Sequence, residues 1–229
     1  MIVHKCEQGS EEWQQLRCGV VTMSHAKELL TGGKGKTRQS YILDVVSERL
    51  SGKPVDSYSG FDMQRGQFLE PYALKVFEQA NETLIERVGF ITTDDGRIGC
   101  SPDGLIGEDA GIEVKCPNPR QHLRNILSDG LSDYTAQVQG NLWITGRDQW
   151  VIVSFCPWVD CYPLYCSVVT RDEIMIASLS QSALNAVEEI DDAIRNVSIY
   201  TPTRTIHDIA SEARKAWEST FAINDEVQL

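Results

Sequence analysis

The stretch SPDGLIGEDAGIEVKCP, residues 101–117, gathers Asp103, Glu113 and Lys115 around one short turn. Side chains alternate across a strand with a period of two. With a turn over Gly107–Gly111, Ile106 faces Ile112, Leu105 faces Glu113 and Asp103 faces Lys115. Asp103, Glu113 and Lys115 then share one face, and Ile106, Ile112 and Val114 share the other, where a core belongs. Two carboxylates on one face raise each other's cost of ionising. Hard divalent cations relieve that repulsion, and an oxygen-rich ligand set suits Mg2+ or Mn2+. Two such ions, about 3.5–4 Å apart, activate water and support an in-line phosphoryl displacement. Lys115 beside them would orient or deprotonate the attacking water, or neutralise charge in the transition state. The same residues also fit an exposed hairpin with an ordinary cross-strand Asp–Lys pair.

The neighbouring residues favour the site. Asp103 stands between Pro102 and Gly104, a choice of backbone shape rather than of charge. Further on, DYTAQVQGNLW puts Tyr134, Gln137 and Asn141 on one helical face. A polar face without charge suits the floor of a site, whereas a helix surface meant for water carries Lys and Glu.

The elements that must position these residues read as a mixed α/β chain. SEEWQQLR is a helix capped by Ser10, and SHAKELLTGG is a second that opens at Ser24 and ends at Gly32–Gly33. KGKTRQ (34–39) reads as a basic loop, either solvated or a mobile arm that meets phosphates. Tyr41, Ile42, Val45, Val46 and Leu50 mark a helix over 37–51. Phe68, Leu69, Tyr72, Ala73, Val76 and Phe77 mark another over 62–80, where Pro71 kinks the helix or begins a new turn. TLIERVGFITT, GRIGCSPDGLI and GIEVKC read as strands, followed by two helices, the strands WVIVSFC and LYCSVVT, and two helices from about Asp172 onward. The expected fold is α/β (α+β): a central mixed, mostly antiparallel sheet flanked by helices. The expected domain is single, 1–229, with its motifs in about 7–170 and a helical C-terminal part over 171–229.

Composition narrows the class. The chain has 229 residues, a net charge of −12 and 41% hydrophobic residues. A general nucleic-acid coater should be basic, but an enzyme with a local basic channel is compatible with an acidic exterior. Cys6, Cys18, Cys100, Cys116, Cys156, Cys161 and Cys166 form no CxxC, the usage of a reducing cytoplasm. The even spacing of the last three matches no common metal pattern. No signal peptide or membrane-spanning run is evident, so a cytoplasmic protein without membrane association is expected.

SPDG, GIEVKCP and YTAQVQGNLWITG, in that order, resemble the lambda exonuclease (YqaJ-type viral recombinase) family of phages, within the PD-(D/E)xK nuclease superfamily. WQQLRCGVVTMSHA (13–26) is similar to that family's N-terminal motif and RGQFLEPYALKVFE (65–78) to its acidic helix. The resemblance implies a restriction-endonuclease-like core. It implies Asp103, Glu113 and the Val114 carbonyl as metal ligands, Glu70 as a further acid, Lys115 as the catalytic lysine and Gln137 as the polar residue of the following helix. Arg17, Ser24 and Ser101 match a pocket for a 5′-phosphate, and Arg38 an arginine on a loop over the DNA. An Arg fork and free helix N–H groups both suit phosphate. Met63 falls where the family carries an apolar wedge that splits the duplex, although SGFDMQRG departs from the family pattern.

The implied activity is a Mg2+-dependent 5′-to-3′ exonuclease on linear double-stranded DNA, with two ions per site and Mn2+ able to substitute. Such enzymes release mononucleotides, act as homotrimeric rings around DNA, and leave a 3′ strand for a single-strand annealing recombinase. Encirclement would hold DNA without a tight electrostatic grip. Alternatives are an endonuclease of the same fold, an iron–sulfur Cas4-like or RecB-like nuclease, and a non-catalytic DNA-end-binding module.

Overall fold

The computed structural model describes residues 1–31, 35–55 and 60–221. In chain order its elements are β1 (Ile2–His4), α1 (Glu11–Arg17), β2 (Val21–Thr22), a 3-10 turn (Met23–His25), α2 (Ala26–Leu30), α3 (Lys36–Ser51) and α4 (Phe61–Asn81). Then come β3 (Ile85–Glu86), β4 (Phe90–Thr92), β5 (Ile98–Cys100), β6 (Gly104–Ile106), β7 (Ala110–Lys115), α5 (Pro119–Leu127) and a second 3-10 turn (Gly130–Tyr134). The chain continues with α6 (Thr135–Thr145), β8 (Gln149–Phe155), β9 (Leu164–Thr170), α7 (Glu173–Ser198) and α8 (Arg204–Phe221).

The fold is the mixed α/β class expected, with one correction: the sheet is two sheets. A four-stranded sheet has the order β1-β4-β5-β2 and a five-stranded sheet the order β3-β6-β7-β8-β9. Both are mixed, since β2 runs parallel to β5 and β7 parallel to β8. Each of two segments that read as one strand divides between the sheets. TLIERVGFITT supplies β3 to one and β4 to the other; GRIGCSPDGLI supplies β5 and β6. The second crossing is made by Ser101, Pro102 and Asp103. Gln8 braces both crossings, donating to the carbonyls of Val88 and Pro102.

The hairpin register differs from expectation by two residues. Gly104 pairs with Ile112, Leu105 with Gly111 and Ile106 with Ala110, so the turn is Gly107–Asp109, with Gly107 at φ +53°. Two interactions shorten the turn. Ala110 and Gly111 are drawn into the parallel ladder with Gln149 and Trp150, and Arg147 Nη1 gathers the carbonyls of Gly107 and Ala110 at 2.8 and 2.7 Å. A slip of two residues preserves the faces, whereas a slip of one would reverse them. Ile112 and Val114 therefore face the core as expected.

α4 covers that core face. Leu69, Ala73, Leu74 and Phe77 pack with Ile112, Val114, Val153 and Phe155. Removing a side chain such as Leu69 here costs about 2–5 kcal/mol. Phe68, Tyr72 and Val76, expected in the same stripe, are exposed; Leu74 takes the place they were given. The helix runs unbroken through Pro71, which offers no N–H to the carbonyl four residues back. In α3, Tyr41, Ile42, Val45 and Val46 are buried as predicted, but Leu50 is exposed.

α6 carries buried residues all round, from Ala136 to Thr145, as befits a helix with neighbours on every side. It packs on β8, on β4 and β5 of the other sheet, and on α2 and the first 3-10 turn. Gly140 makes the last approach possible, because a Cβ there would lie 2.4 Å from Met23 Sδ. Gly146 ends the helix in the left-handed region. The α7 carboxylates of Glu189 and Asp191 reach Arg38, Arg49 and Arg97.

The chain divides into two compact units, Met1–Asp191 and Asp192–Leu229. Most of α7 belongs to the first. The second contains the end of α7 and all of α8. No helix among the described residues is long and apolar enough to cross a membrane.

Candidate active site

β7 supplies the floor of the site. Glu113 lies at its centre, 3% exposed, in the face opposite the core. One of its oxygens, Oε1, accepts from Lys115 Nζ at 2.6 Å and from Gln137 Nε2 at 2.6 Å. The other accepts from Asn141 Nδ2 at 3.4 Å. Lys115 Nζ lies 3.5 Å from Gln137 Oε1 and 4.8 Å from the centre of the Tyr134 ring. The uncharged helical face of Tyr134, Gln137 and Asn141 is thus turned onto the β7 charges, as its spacing predicts.

Asp103 ends the crossing between sheets, and its Oδ2 accepts from the Val114 N–H at 2.6 Å. The observed register places Asp103 beside Glu113, not Lys115. Glu70 projects from α4 and accepts from Arg87 Nη1 at 3.1 Å. Glu70, Asp103, Glu113 and Lys115 line one depression of about 530 Å3, bordered also by Met63, Val114 and Tyr134. A larger depression, about 850 Å3, is lined by Trp13, Gln67, Glu70, Arg87 and Asp103. Glu70 and Asp103 therefore stand on the divide between the two.

The charges are strongly coupled. Burial, then the charges of Glu113 and Glu70, push the Asp103 carboxyl well above the ordinary range. Burial pulls Lys115 down, but Glu113 and Asp103 outweigh it, and the ammonium is held above its usual value. Cys116, next in the chain, is pushed up to about 12 by burial and by Glu70 and Asp103, so it is no nucleophile at neutral pH. Among the described residues no three His, Cys, Asp or Glu side chains converge as a ready metal cage. The donor set nonetheless fits a hard divalent ion: Glu70, Asp103 and Glu113 border one depression, crowded enough to raise Asp103, and a fourth carboxylate there, Asp62, is bonded to Arg65.

A second cluster forms where α1 meets the crossing. Arg17 Nη1 donates to Ser101 Oγ at 2.8 Å, and Trp13 Nε1 donates to the same oxygen at 3.1 Å. The Arg17 guanidinium lies over the Trp13 ring at 4.4 Å, and burial lowers its pKa. Ser101 is two residues from Asp103, so both clusters hang from one short segment. Ser10 caps α1 as predicted, accepting from the Trp13 N–H.

Other expected site residues are placed differently. Ser24 does not open a helix. It lies within the 3-10 turn that carries Met23 inward, and its hydroxyl pairs with Thr22 Oγ1 at 3.0 Å. Arg38 is not on a loop but in the first turn of α3, 4% exposed, with both Nη atoms on Glu189 at 2.7 and 2.8 Å. The partner 151 residues away was invisible to local pattern. The expected helix stop at Gly32–Gly33, and Lys34 of the basic loop, lie outside the described residues. Met63 lies in the first helical turns of α4 and is 45% exposed. Arg87 was missed, because TLIERVGFITT reads as one strand and hides the break that frees its side chain.

The YqaJ-like viral recombinase domain matches residues 12–148. Over 66 residues, 29% of this chain and 76% of the relative, the chain is 30% identical to the uncharacterised protein ExoD of Escherichia coli (strain K12). Among solved structures it is similar to the alkaline exonuclease LHK-Exo of Laribacter hongkongensis, with a TM-score of 0.77, 30% identity, and coverage of 82% of this chain and 96% of that one. The same enzyme in complex with dAMP matches at 31% identity, with the same TM-score and coverage. A phage-related exonuclease of Haemophilus somnus, at 17% identity and a TM-score of 0.64 over 78% of this chain and 96% of that one, shares the fold.

Proposed function

Because the chain belongs to the YqaJ-like viral recombinase family, a family of nucleases, we propose that it is a divalent-metal-dependent 5′-to-3′ exonuclease acting on the ends of linear double-stranded DNA. The observation that carries this reading is the meeting of Glu70, Asp103, Glu113 and Lys115 in one depression, with Ser101 on the adjoining segment held by Arg17 of α1. In this reading Asp103, Glu113, the Val114 carbonyl and Glu70 hold Mg2+, or Mn2+ in its place, with two ions per site. When bound, the ions supply a lowered water pKa and charge neutralisation at the phosphate.

The chain's own residues do the rest. Gln137 and Asn141 hold Glu113 so that its oxygens point at the depression rather than into the core. Lys115, kept charged by Glu113, neutralises the carboxylates of the metal-free protein. Held over Tyr134, it stays beside the scissile phosphate as a donor that orients water and offsets charge in the transition state. Arg17 and Ser101 grip a terminal 5′-phosphate with charge-assisted hydrogen bonds, and Ser24 adds a hydroxyl from the neighbouring turn. Met63, exposed at the rim, would in this reading press on the first base pair. Arg38 is omitted from DNA contact because Glu189 already takes its guanidinium.

The dAMP complex of LHK-Exo supports mononucleotide as the product here. The reading extends to a homotrimeric ring and to a single-strand annealing recombinase as partner, on family resemblance. Digestion of linear and covalently closed circular duplexes tests it. Loss of the linear form alone is expected, to mononucleotides; nicking of circles would point to an endonuclease, and binding without cleavage to an end-binding module.

A further inference from the structure

Arg87 has no part in the reading above. It lies between β3 and β4, where the chain leaves one sheet for the other. A single nitrogen, Nη1, donates to Glu70 Oε1 at 3.1 Å and to the Asp103 carbonyl at 2.8 Å. Its side chain is 50% exposed and that of Glu70 28%. Two cations therefore sit on the candidate metal ligands, Lys115 on Glu113 and Arg87 on Glu70, while Arg65 is taken by Asp62.

We propose that Arg87 is a built-in counter-ion of Glu70 that a divalent cation must displace, and that it thereby sets the metal affinity of the site. The proposal rests on the metal-site reading. A guanidinium is charged at every accessible pH and is only a donor. A Glu70 oxygen that accepts from it is occupied against a metal. The bond to the Asp103 carbonyl at 2.8 Å holds Arg87 against Glu70 while no metal is bound. The two cations also differ in mobility. Lys115 is confined by Glu113, Gln137 and Tyr134, whereas Arg87 is half in water and faces the larger depression. Arg87 is the one that can swing away, a positioning residue acting through Glu70.

The sign of its effect separates this role from plain structural support. A counter-ion weakens metal binding, so its loss tightens it; a brace for Glu70 strengthens metal binding, so its loss weakens it. A pair this exposed is equivalent to about a two- to fivefold change in affinity.

Calorimetric titration of the full chain with Mn2+, and separately with Mg2+, without DNA, is the test. Arg87→Ala is expected to bind either ion about two- to fivefold more tightly than wild type, and Arg87→Lys close to wild type. In a Glu70→Gln background the further Arg87→Ala change should shift affinity less than twofold, because the target of competition is gone. Should Arg87→Ala fail to fold, Arg87→Gln carries the same expectation. Unchanged or weaker binding by the neutral variant would overturn the proposal while leaving the metal site standing, as would a gain that persists in full beside Glu70→Gln. Absence of binding by the wild type at millimolar ion would overturn the metal-site reading itself.

Discussion

Replacing Lys115 by Met should destabilise the metal-free protein by an amount that depends on Glu113. The Glu113 carboxylate is 3% exposed, and among the described residues Lys115 is its one cationic hydrogen-bond partner, at 2.6 Å. Without it the buried charge keeps two amide donors, Gln137 and Asn141, and faces Asp103 and Glu70 across the same depression. Stranding a buried charge costs about 3–5 kcal/mol. Lys115 is itself 24% exposed, so water recovers part of that, and about 2–3 kcal/mol is expected. For a unit of this size each kcal/mol moves Tm by roughly 2–4 °C, giving a fall of about 4–12 °C in EDTA. Glu113→Gln in the same chain removes the stranded charge while keeping the shape. The double variant should therefore regain at least about half of the loss, a coupling of more than about 1 kcal/mol. Both variants should lose activity by about 10^2–10^4-fold, so stability and catalysis part company. Thermal and urea unfolding of wild type, both single variants and the double variant measure the cycle. Additive losses would refute the claim that Lys115 is the counter-charge of Glu113.

Arg17→Ala should abolish the preference for 5′-phosphate over 5′-hydroxyl ends by removing a contact worth about 1.5–3 kcal/mol, or about 10–100-fold in kcat/KM; competition between the two substrates reads it directly. Gly111→Ala would set a Cβ 2.3 Å from the Trp150 ring, and should cost about 1–3 kcal/mol in urea unfolding. Asp191→Asn should loosen the segments carrying Arg49 and Arg97, which both bond to it, costing about 1–2 kcal/mol; a shift in urea midpoint without loss of metal binding is the expected pattern. Chelation should stop cleavage without unfolding the chain, since Lys115 and Arg87 balance the acids, and circular dichroism in EDTA checks the second half.

Much of the site was legible because β structure has a strict period. Asp103, Glu113 and Lys115 fall on one face under either register, so an error of two residues in the turn left the conclusion intact. Tyr134, Gln137 and Asn141 were legible for the same kind of reason, as an uncharged polar face at i, i+3 and i+7 spacing, although Tyr134 ends the second 3-10 turn and the other two lie in α6. What sequence hid was long-range. Nothing near Arg38 points to Glu189, and nothing in KGKTRQ reveals that the helix begins at Lys36. β1 and β2 have three and two residues, too short to show alternation. The division of two apparent strands between two sheets depends on which partners each half finds, and Arg87 became visible only once that break was known.

The most direct test of the central claim is a timed digestion of linear duplex DNA carrying separate labels at its 5′ and 3′ ends, with Mg2+ or with EDTA. With Mg2+, the 5′ label should appear first, as a mononucleotide, and faster from 5′-phosphate than from 5′-hydroxyl ends; the 3′ label should stay on a long single strand, and EDTA should stop all release. Early release of the 3′ label, or undiminished cleavage in EDTA, would contradict the account.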